Sequence, residues 1–282
     1  MRRRWKNATS GWNLERDKIK LRRRVSIMKI SGEYTIDPEM KLLRYIGLEG
    51  PMIDIGANTG DYSAVLEDVV GAENLYLFEP LPELYKHLRK RFRKSHVFNH
   101  AVSSEDGSAV MRVPYINGKR YNTRATLNTH KEDSETGCDM IEIKLTPLDS
   151  VVNQIGLKSI GFIKVDVEGH EIGVIEGAYR TLEKFKPLIL IEIEQRHHDF
   201  PLSQIFSKFE SQGYQGYYLN ARRYTLLPTD QFCAERDQNP EFLHTRKFSD
   251  YLNNFFFVHK TKKDEFLNKS KVFLDKEREL SR

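Results

Sequence analysis

Two stretches of the chain concentrate side chains able to hold or move a proton. One reads Ile163-Lys-Val-Asp166-Val-Glu168-Gly169-His170-Glu171, and the other Ile191-Glu192-Ile-Glu194-Gln-Arg-His197-His198. In each, carboxylates and imidazoles follow directly on an apolar run. An imidazole titrates near neutrality and can take a proton from a hydroxyl, while a carboxylate can orient it. Asp166, His170, His197 and Glu192 are therefore the candidate catalytic groups for transfer to oxygen. Other uses stay open: Glu168 and Glu171 suit the start of a helix, and His197 or His198 suits a surface loop. Carboxylates and imidazoles can also hold Mg²⁺, but no ligand spacing is recognisable and no metal site is expected.

A second kind of chemistry lies upstream. Pro51-Met-Ile-Asp54-Ile-Gly56-Ala57-Asn58-Thr59-Gly60 reads as a buried strand entering a glycine-bracketed turn that receives a helix. Gly56 can take a positive φ and let backbone lie against a ligand, and Gly60 lets the helix begin close by. A helix N-terminus offers unpaired N–H groups to an anion. The spacing is neither the G-x-G-x-x-G of dinucleotide sites nor a P-loop. Two residues before its first glycine stands Asp54, which suits the methionine end of S-adenosylmethionine, a ligand with a carboxylate and an ammonium. About twenty residues beyond the turn, Leu75-Tyr-Leu-Phe-Glu79-Pro80 puts a carboxylate at the next strand's tip, where it can accept both hydroxyls of a ribose. Taken alone, Glu79 also reads as a helix cap or surface residue.

Positioning these groups requires parallel strands with crossover helices. Short apolar runs alternate with helical periodicity from Tyr34 onward, the pattern of an α/β protein built from βαβ units. Strands are expected at 51–55, 75–79, 96–102, 162–166, 188–193, 214–219 and 254–259, and amphipathic helices at 62–70, 84–93, 171–184 and 203–212. Two further strand-like runs, 109–113 and 141–145, flank an aperiodic polar stretch from Pro114 to Met140, read as a hairpin-like excursion with a mobile loop. The last strand, Asn254–His259, follows a long polar segment without an obvious helix and reads as an antiparallel edge or near-edge strand.

Of the 282 residues, 39% are hydrophobic and 30% charged, which fits a soluble globular chain with enough apolar mass for one large core. No run approaches the roughly 18 consecutive apolar residues of a membrane span. No apolar run follows the N-terminal charges as in a secretory signal, and Cys138 and Cys233 form no disulfide framework, so a cytoplasmic setting is expected. Residues 1–30 hold eleven Lys and Arg against two acidic residues, a net +9, which leaves −4 on the rest of a chain whose total is +5. Such a segment can contact an anionic surface or nucleic acid, or simply be solvated. The expected division is a basic extension over 1–30, one domain over 31–260, and a charged helix or tail over 261–282.

The motifs IDIGANTG, FEP, Ala101-Val102-Ser103 before Gly107, TPLD and IKVDVEGHE, with Asn254-Phe-Phe-Phe-Val258, together resemble the FkbM family of class I methyltransferases. The resemblance runs from about Ser31 to Lys260. It implies a Rossmann-like three-layer αβα sandwich around a seven-stranded, mostly parallel sheet with one antiparallel strand. It also implies S-adenosylmethionine as cofactor, and O-methylation of a sugar, glycan or related small-molecule hydroxyl. Carried over, Asp54, Gly56, Ala57, Asn58, Thr59 and Gly60 would line the methionine end, Glu79 and Pro80 the ribose, and Ala101, Val102 and Ser103 the adenine. Asp166 would face the transferred methyl. An RNA acceptor reached through the basic arm, and a non-catalytic cofactor-binding module, are the competing readings. Residues 1–30 and 220–250 match nothing in the family pattern, so they leave acceptor choice undetermined.

Overall fold

In a computed structural model, the structure describes residues 37–128, 131, 135–241 and 251–280. The basic segment 1–30 lies outside them. In chain order the strands are β1 (Met52–Ile55), β2 (Leu75–Phe78), β3 (His96–Phe98), β4 (Ala101–Val102), β5 (Gly107–Ile116), β6 (Lys119–Arg120), β7 (Glu135–Thr146), β8 (Phe162–Val165), β9 (Leu188–Glu192), β10 (Tyr214–Asn220), β11 (Thr225–Pro228) and β12 (Asn254–His259). The described helices are α1 (Pro38–Ile46), α2 (Asp61–Val70), α3 (Pro82–Arg91), α4 (Leu148–Ile155), α5 (Glu171–Gly177), α6 (Tyr179–Phe185), α7 (Ser203–Glu210), α8 (Ala234–Asp237) and α9 (Lys263–Leu280).

Eight strands form the main sheet in the order β11-β10-β12-β9-β8-β1-β2-β3. Parallel pairing joins β9, β8, β1, β2 and β3, while β12 runs antiparallel to both β9 and β10. Seven of these strands give the expected α/β order with its reversed member. The eighth, β11, adds a second reversed strand, because the turn at Tyr224 (φ 49°) folds Thr225–Pro228 back along β10. β12 is interior rather than at an edge. Phe255, Phe256 and Phe257 have no face left for water, and a run buried on both sides belongs inside a sheet.

Alternation along the strands splits the core. Ile53, Ile55, Ile163, Val165, Ile189 and Ile191 meet Val152 of α4, Ile175 of α5, Leu182 of α6 and Phe206 of α7 on one face. The opposite face takes Met52, Asp54 and Lys164 beneath α1 and α2, and Phe256 against Phe266 of α9. The charged C-terminal segment is thus a helix with one apolar stripe, Phe266, Phe273 and Leu274, and the Phe273 ring lies 5.2 Å from that of Tyr45 in α1, tilted by 42°. α1 and α4 add to the helices expected from sequence; both are only two to three turns long, and each buries one apolar face, Met40, Leu42 and Leu43 in α1 and Leu148, Val151 and Val152 in α4.

Three other boundaries move. The expected strand 96–102 breaks because Asn99 Nδ2 donates to the carbonyls of Glu79 (2.9 Å) and Pro80 (2.8 Å), which draws the chain off the ladder. β4 then opens a second sheet, β4-β7-β5-β6. The stretch Pro114–Met140 contributes strand at its two ends there, as a hairpin would: β5 and β7 pair from Gly107↔Leu145 to Ile116↔Glu135 with one bulge, their outer face solvated at Val110 and Met140. The helix expected over 171–184 divides at Ala178, since Gly177 packs so tightly on Ser103 that a Cβ would overlap that residue's carbonyl.

Candidate active site

The β1 turn lies against its neighbours rather than standing open. Gly56 N and Ala57 N both donate to the Phe78 carbonyl at 3.0 Å, which ties the turn to the tip of β2. A Cβ on Gly56 (φ 76°) would overlap the carbonyl oxygen of Asp166, and one on Gly60 (φ 82°) would strike Phe92 and Leu88. The first glycine therefore allows the close approach of the turn to the end of β8. Arg91 holds the end of the turn, donating to Thr59 O at 2.5 Å and Asp61 Oδ1 at 3.2 Å.

Glu79 is buried at the β2 tip, with Oε2 accepting Asn58 N and Oε1 accepting Leu81 N, each at 2.8 Å. Burial pushes its carboxyl up to about 7 against these hydrogen bonds. Each oxygen keeps a second lone pair, so the pair of hydroxyls on a ribose can still be accepted. Asp54 is buried on β1 and accepts Ser63 Oγ at 2.7 Å. Burial raises it to about 6. Acidic groups at neighbouring strand tips, one of them aimed at hydroxyl donors, fit a ligand that carries a ribose and positive charge.

Asp166 follows β8 between two charged groups. On its α1 side stand Lys164, Glu192 on β9, Asp54 and Asp37; on its other side stand Glu168, Glu171, Glu194 and His197. Burial raises Asp166, helped by Glu171 and Glu194 and opposed by Lys164 and His197. Glu192 is raised well above the usual range by burial and Asp166, and it accepts Asn253 Nδ2 at 2.6 Å. It lies 3.9 Å from Lys164 and shares the Asn253 amide with Glu194.

Beyond Asp166 the chain turns sharply, with Glu168 at φ 48° and Gly169 at φ 97°. His197 Nε2 lies 2.9 Å from Glu168 Oε2, and His198 Nε2 lies 2.9 Å from Glu171 Oε2. Glu171 also accepts Gly169 N at 2.9 Å, so it ties the helix start to the β9 loop. Arg196 pairs with Glu194, and the Tyr251 hydroxyl donates to the same carboxylate at 2.8 Å. Burial would raise Glu194, but these two partners outweigh it and hold the group low. His170 turns elsewhere: its Nε2 is 3.0 Å from Ser103 Oγ, its ring lies over Gly173, and burial lowers its pKa.

The second sheet roofs this corner. Thr126 Oγ1 donates to Glu168 O at 2.6 Å, and Asn128 Nδ2 reaches His197 O at 3.3 Å and Gly169 O at 3.4 Å. Between roof and tips lies a pocket of about 360 Å³ lined by Asn128, His170, Arg196, His197, His198 and Phe200, among others. Among the described residues no group of three His, Cys, Asp or Glu side chains converges as metal ligands would, and no helix is long and apolar enough to cross a membrane.

Lys164, Tyr62, Asp37, Arg196 and Asn128 were not singled out from sequence. For Lys164 a signal existed, since a lysine inside FIKV interrupts a strand that is otherwise wholly apolar. Asn128 has none, as its partners lie 41 and 69 residues away.

The family model described as Methyltransferase FkbM domain matches residues 54–215. The hexuronic acid methyltransferase AglP of Haloferax volcanii is 25% identical over 144 residues, which cover 50% of this chain and 54% of that protein. The chain thus spans about half the length of the curated relative it matches. Among solved structures, the methyltransferase FkbM of Methylobacillus flagellatus aligns with a TM-score of 0.48 at 19% identity, over 79% of this chain and 47% of that one. A precorrin-6y C5,15-methyltransferase of Geobacter metallireducens gives 0.41 at 11%, over 86% and 96%. With more than half its length matched by the family model, this chain belongs to the FkbM methyltransferase family.

Proposed function

We propose that the chain is an S-adenosylmethionine-dependent O-methyltransferase whose acceptor is a hydroxyl of a sugar or glycan. The observation that carries this reading is His197, 2.9 Å from Glu168 and facing a pocket beside the β8 tip. When bound, the cofactor supplies an electrophilic methyl group on a sulfonium. The turn Asp54–Gly60 and Asp166 would hold its methionine end, Glu79 and Pro80 its ribose, and Ala101, Val102 and Ser103 its adenine, with His170 fixing Ser103.

His197 Nε2 and Glu168 Oε2 approach to 2.9 Å as an ion pair without hydrogen-bond geometry; with its proton on Nε2, the imidazole would keep a lone pair on Nδ1 for the acceptor's hydroxyl proton. Glu168, which burial raises and His197 pulls back down, would then stabilise the imidazolium that results. Such a base is worth about 10²–10⁴-fold, and holding the hydroxyl in line contributes through positioning. Arg196 and Asn128 line the same pocket and add polar groups on the side an acceptor rich in oxygens would occupy. A matched relative named for hexuronic acid supports the sugar class.

The test is transfer of label from methyl-labelled S-adenosylmethionine to uronic acid glycosides, neutral glycosides and RNA offered separately to the purified protein. Label appearing as a sugar methyl ether is the expected result. Label found in RNA, or in none of the three, sinks the sugar reading.

A further inference from the structure

One wall of the pocket beside the β8 tip is a run of consecutive residues, 196–200, in the loop that follows β9. The backbone of such a loop needs hydrogen-bond partners, and two glutamines supply them. Gln238, the residue after α8, is 6% exposed. Its Oε1 accepts Gln195 N at 2.7 Å, while its Nε2 donates to the carbonyls of Ile193 at 2.7 Å and Leu252 at 3.0 Å. A carboxamide suits this place, since it accepts at one atom and donates twice from the other. Gln195 carries the order onward: its own Nε2 donates to the carbonyls of His198 at 3.0 Å and Phe200 at 2.8 Å.

Three segments meet at Gln238. Leu252 N donates to Asp237 O and Ile193 N to Asn253 O, each at 2.8 Å, which joins the end of α8, the approach to β12 and the end of β9. The β9 strand itself is held by its ladders to β8 and β12, so losing the glutamine bonds should loosen the loop and spare the sheet. Other ties of the loop are the pairs of His197 with Glu168 and His198 with Glu171, and the bond from Asn128 to His197 O. Those hold two ring ends and one carbonyl. The two glutamines hold main chain at Ile193, Gln195, His198 and Phe200, on both sides of His197.

We infer that Gln238 and Gln195 form a clasp of positioning residues that sets the main chain of this loop, and with it where His197 and Phe200 meet the acceptor. The inference rests on the acceptor reading of the pocket given above. Gln238 lies outside residues 54–215, which the family model matches, and within 220–250, where no family motif was found. The acceptor wall is thus held from beyond the part of the chain that the family pattern describes. Such a hold matters for an in-line transfer, in which a shift of about 1 Å can cost about 10²-fold in rate.

Steady-state methyl transfer by the full chain from S-adenosylmethionine to methyl β-D-glucuronide, or to methyl β-D-glucoside where that is the sugar methylated, tests this. Gln238→Met keeps the bulk and loses all three hydrogen bonds. Its kcat/KM for the glycoside should fall by at least about tenfold, while S-adenosylhomocysteine affinity by calorimetry changes by less than about twofold. Introduced into His197→Ala, the same substitution should cost less than about threefold more, because the ring it positions is gone. A general lesion of the fold would act in full in both backgrounds; that result, or wild-type kinetics in Gln238→Met, overturns the inference. Hydrogen exchange should quicken over residues 193–200 and stay unchanged in β8, and faster exchange throughout the sheet counts against a local clasp. If Gln238→Met does not fold by circular dichroism, Gln195→Met opens the clasp from its other end and should give the same pattern; wild-type kcat/KM in that variant overturns the inference. Wild-type protein that methylates neither glycoside removes the sugar reading together with this inference, whereas an active wild type with equally active variants removes the inference alone.

Discussion

The β1 side and the β9 side of Asp166 hold their charged groups by different means. On the β1 side, position comes from backbone: two N–H groups of the Gly56 turn share one carbonyl of β2, and Gly56 itself presses on the carbonyl of Asp166. On the β9 side, position comes from side-chain pairs, His197 with Glu168, His198 with Glu171, and Arg196 with Glu194. Each side contains one non-glycine residue in the left-handed region, Asn58 and Glu168, both at φ 48°. Such conformations cost of order 1–3 kcal/mol and persist where surrounding structure fixes them. Asn58 is fixed by Glu79, and Glu168 by Thr126 and His197. A backbone-built half tolerates little change of sequence, whereas a half built from pairs can be retuned one residue at a time. That division suits a fixed cofactor beside a variable acceptor.

The harshest way to test the contrast is Gly56→Ala. The new Cβ would overlap main chain, which cannot swing aside, and it would also force an alanine to positive φ. The cost should be at least about 3 kcal/mol, with cofactor binding lost and the melting temperature down by about 6 °C or more. Gly107→Ala is the control, since nothing lies within 4 Å of its added Cβ. A well-folded Gly56→Ala protein with wild-type cofactor affinity would end the claim that backbone contact builds this side.

His197→Ala addresses the other half. Turnover at saturating cofactor should fall by about 10²–10⁴-fold, with S-adenosylmethionine affinity unchanged, because the deleted ring touches the pocket and not the Gly56 turn. His170→Ala should act differently and weaken cofactor binding through Ser103. A loss of less than about tenfold in His197→Ala places the base elsewhere, and a parallel loss of cofactor affinity would mean the two halves are not separable.

The same division explains what could be read from the sequence. The β1 side is local: Asp54, Gly56 and Gly60 lie within one turn, Glu79 ends the next strand, and strands 75–78 and 254–259 come from apolar runs that can hardly be anything else. The β9 side is assembled across the chain. Histidines after β9 find carboxylates after β8, and the roof over them arrives from a polar stretch whose strands pair mainly with one another. Periodicity cannot report such pairing, because a two-stranded arm with a solvated outer face lacks a clean apolar repeat. Lys164 was passed over because a lone lysine ordinarily marks solvent, and only the closed sheet reveals the carboxylates around it.

The smallest expected effect concerns stability rather than turnover. Glu39, on α1, is buried and raised from 4.5 to about 7, first by desolvation and then by Asp37. A carboxyl whose folded value exceeds its unfolded one binds more protons when folded, so stability falls as pH rises between those values. The contribution is at most about 3 kcal/mol, at roughly 1.4 kcal/mol per unit. Asp54 and Glu79 act with the same sign up to about 6 and about 7. Without ligand, the melting temperature of the wild-type chain should therefore drop from pH 5 to pH 8. Glu39→Gln should flatten the drop by a few degrees and leave His197-dependent turnover intact. A wild-type profile that rises over this range would mean that these carboxyls are ionised without a ligand, and a variant profile parallel to wild type would mean that Glu39 is already charged at pH 5.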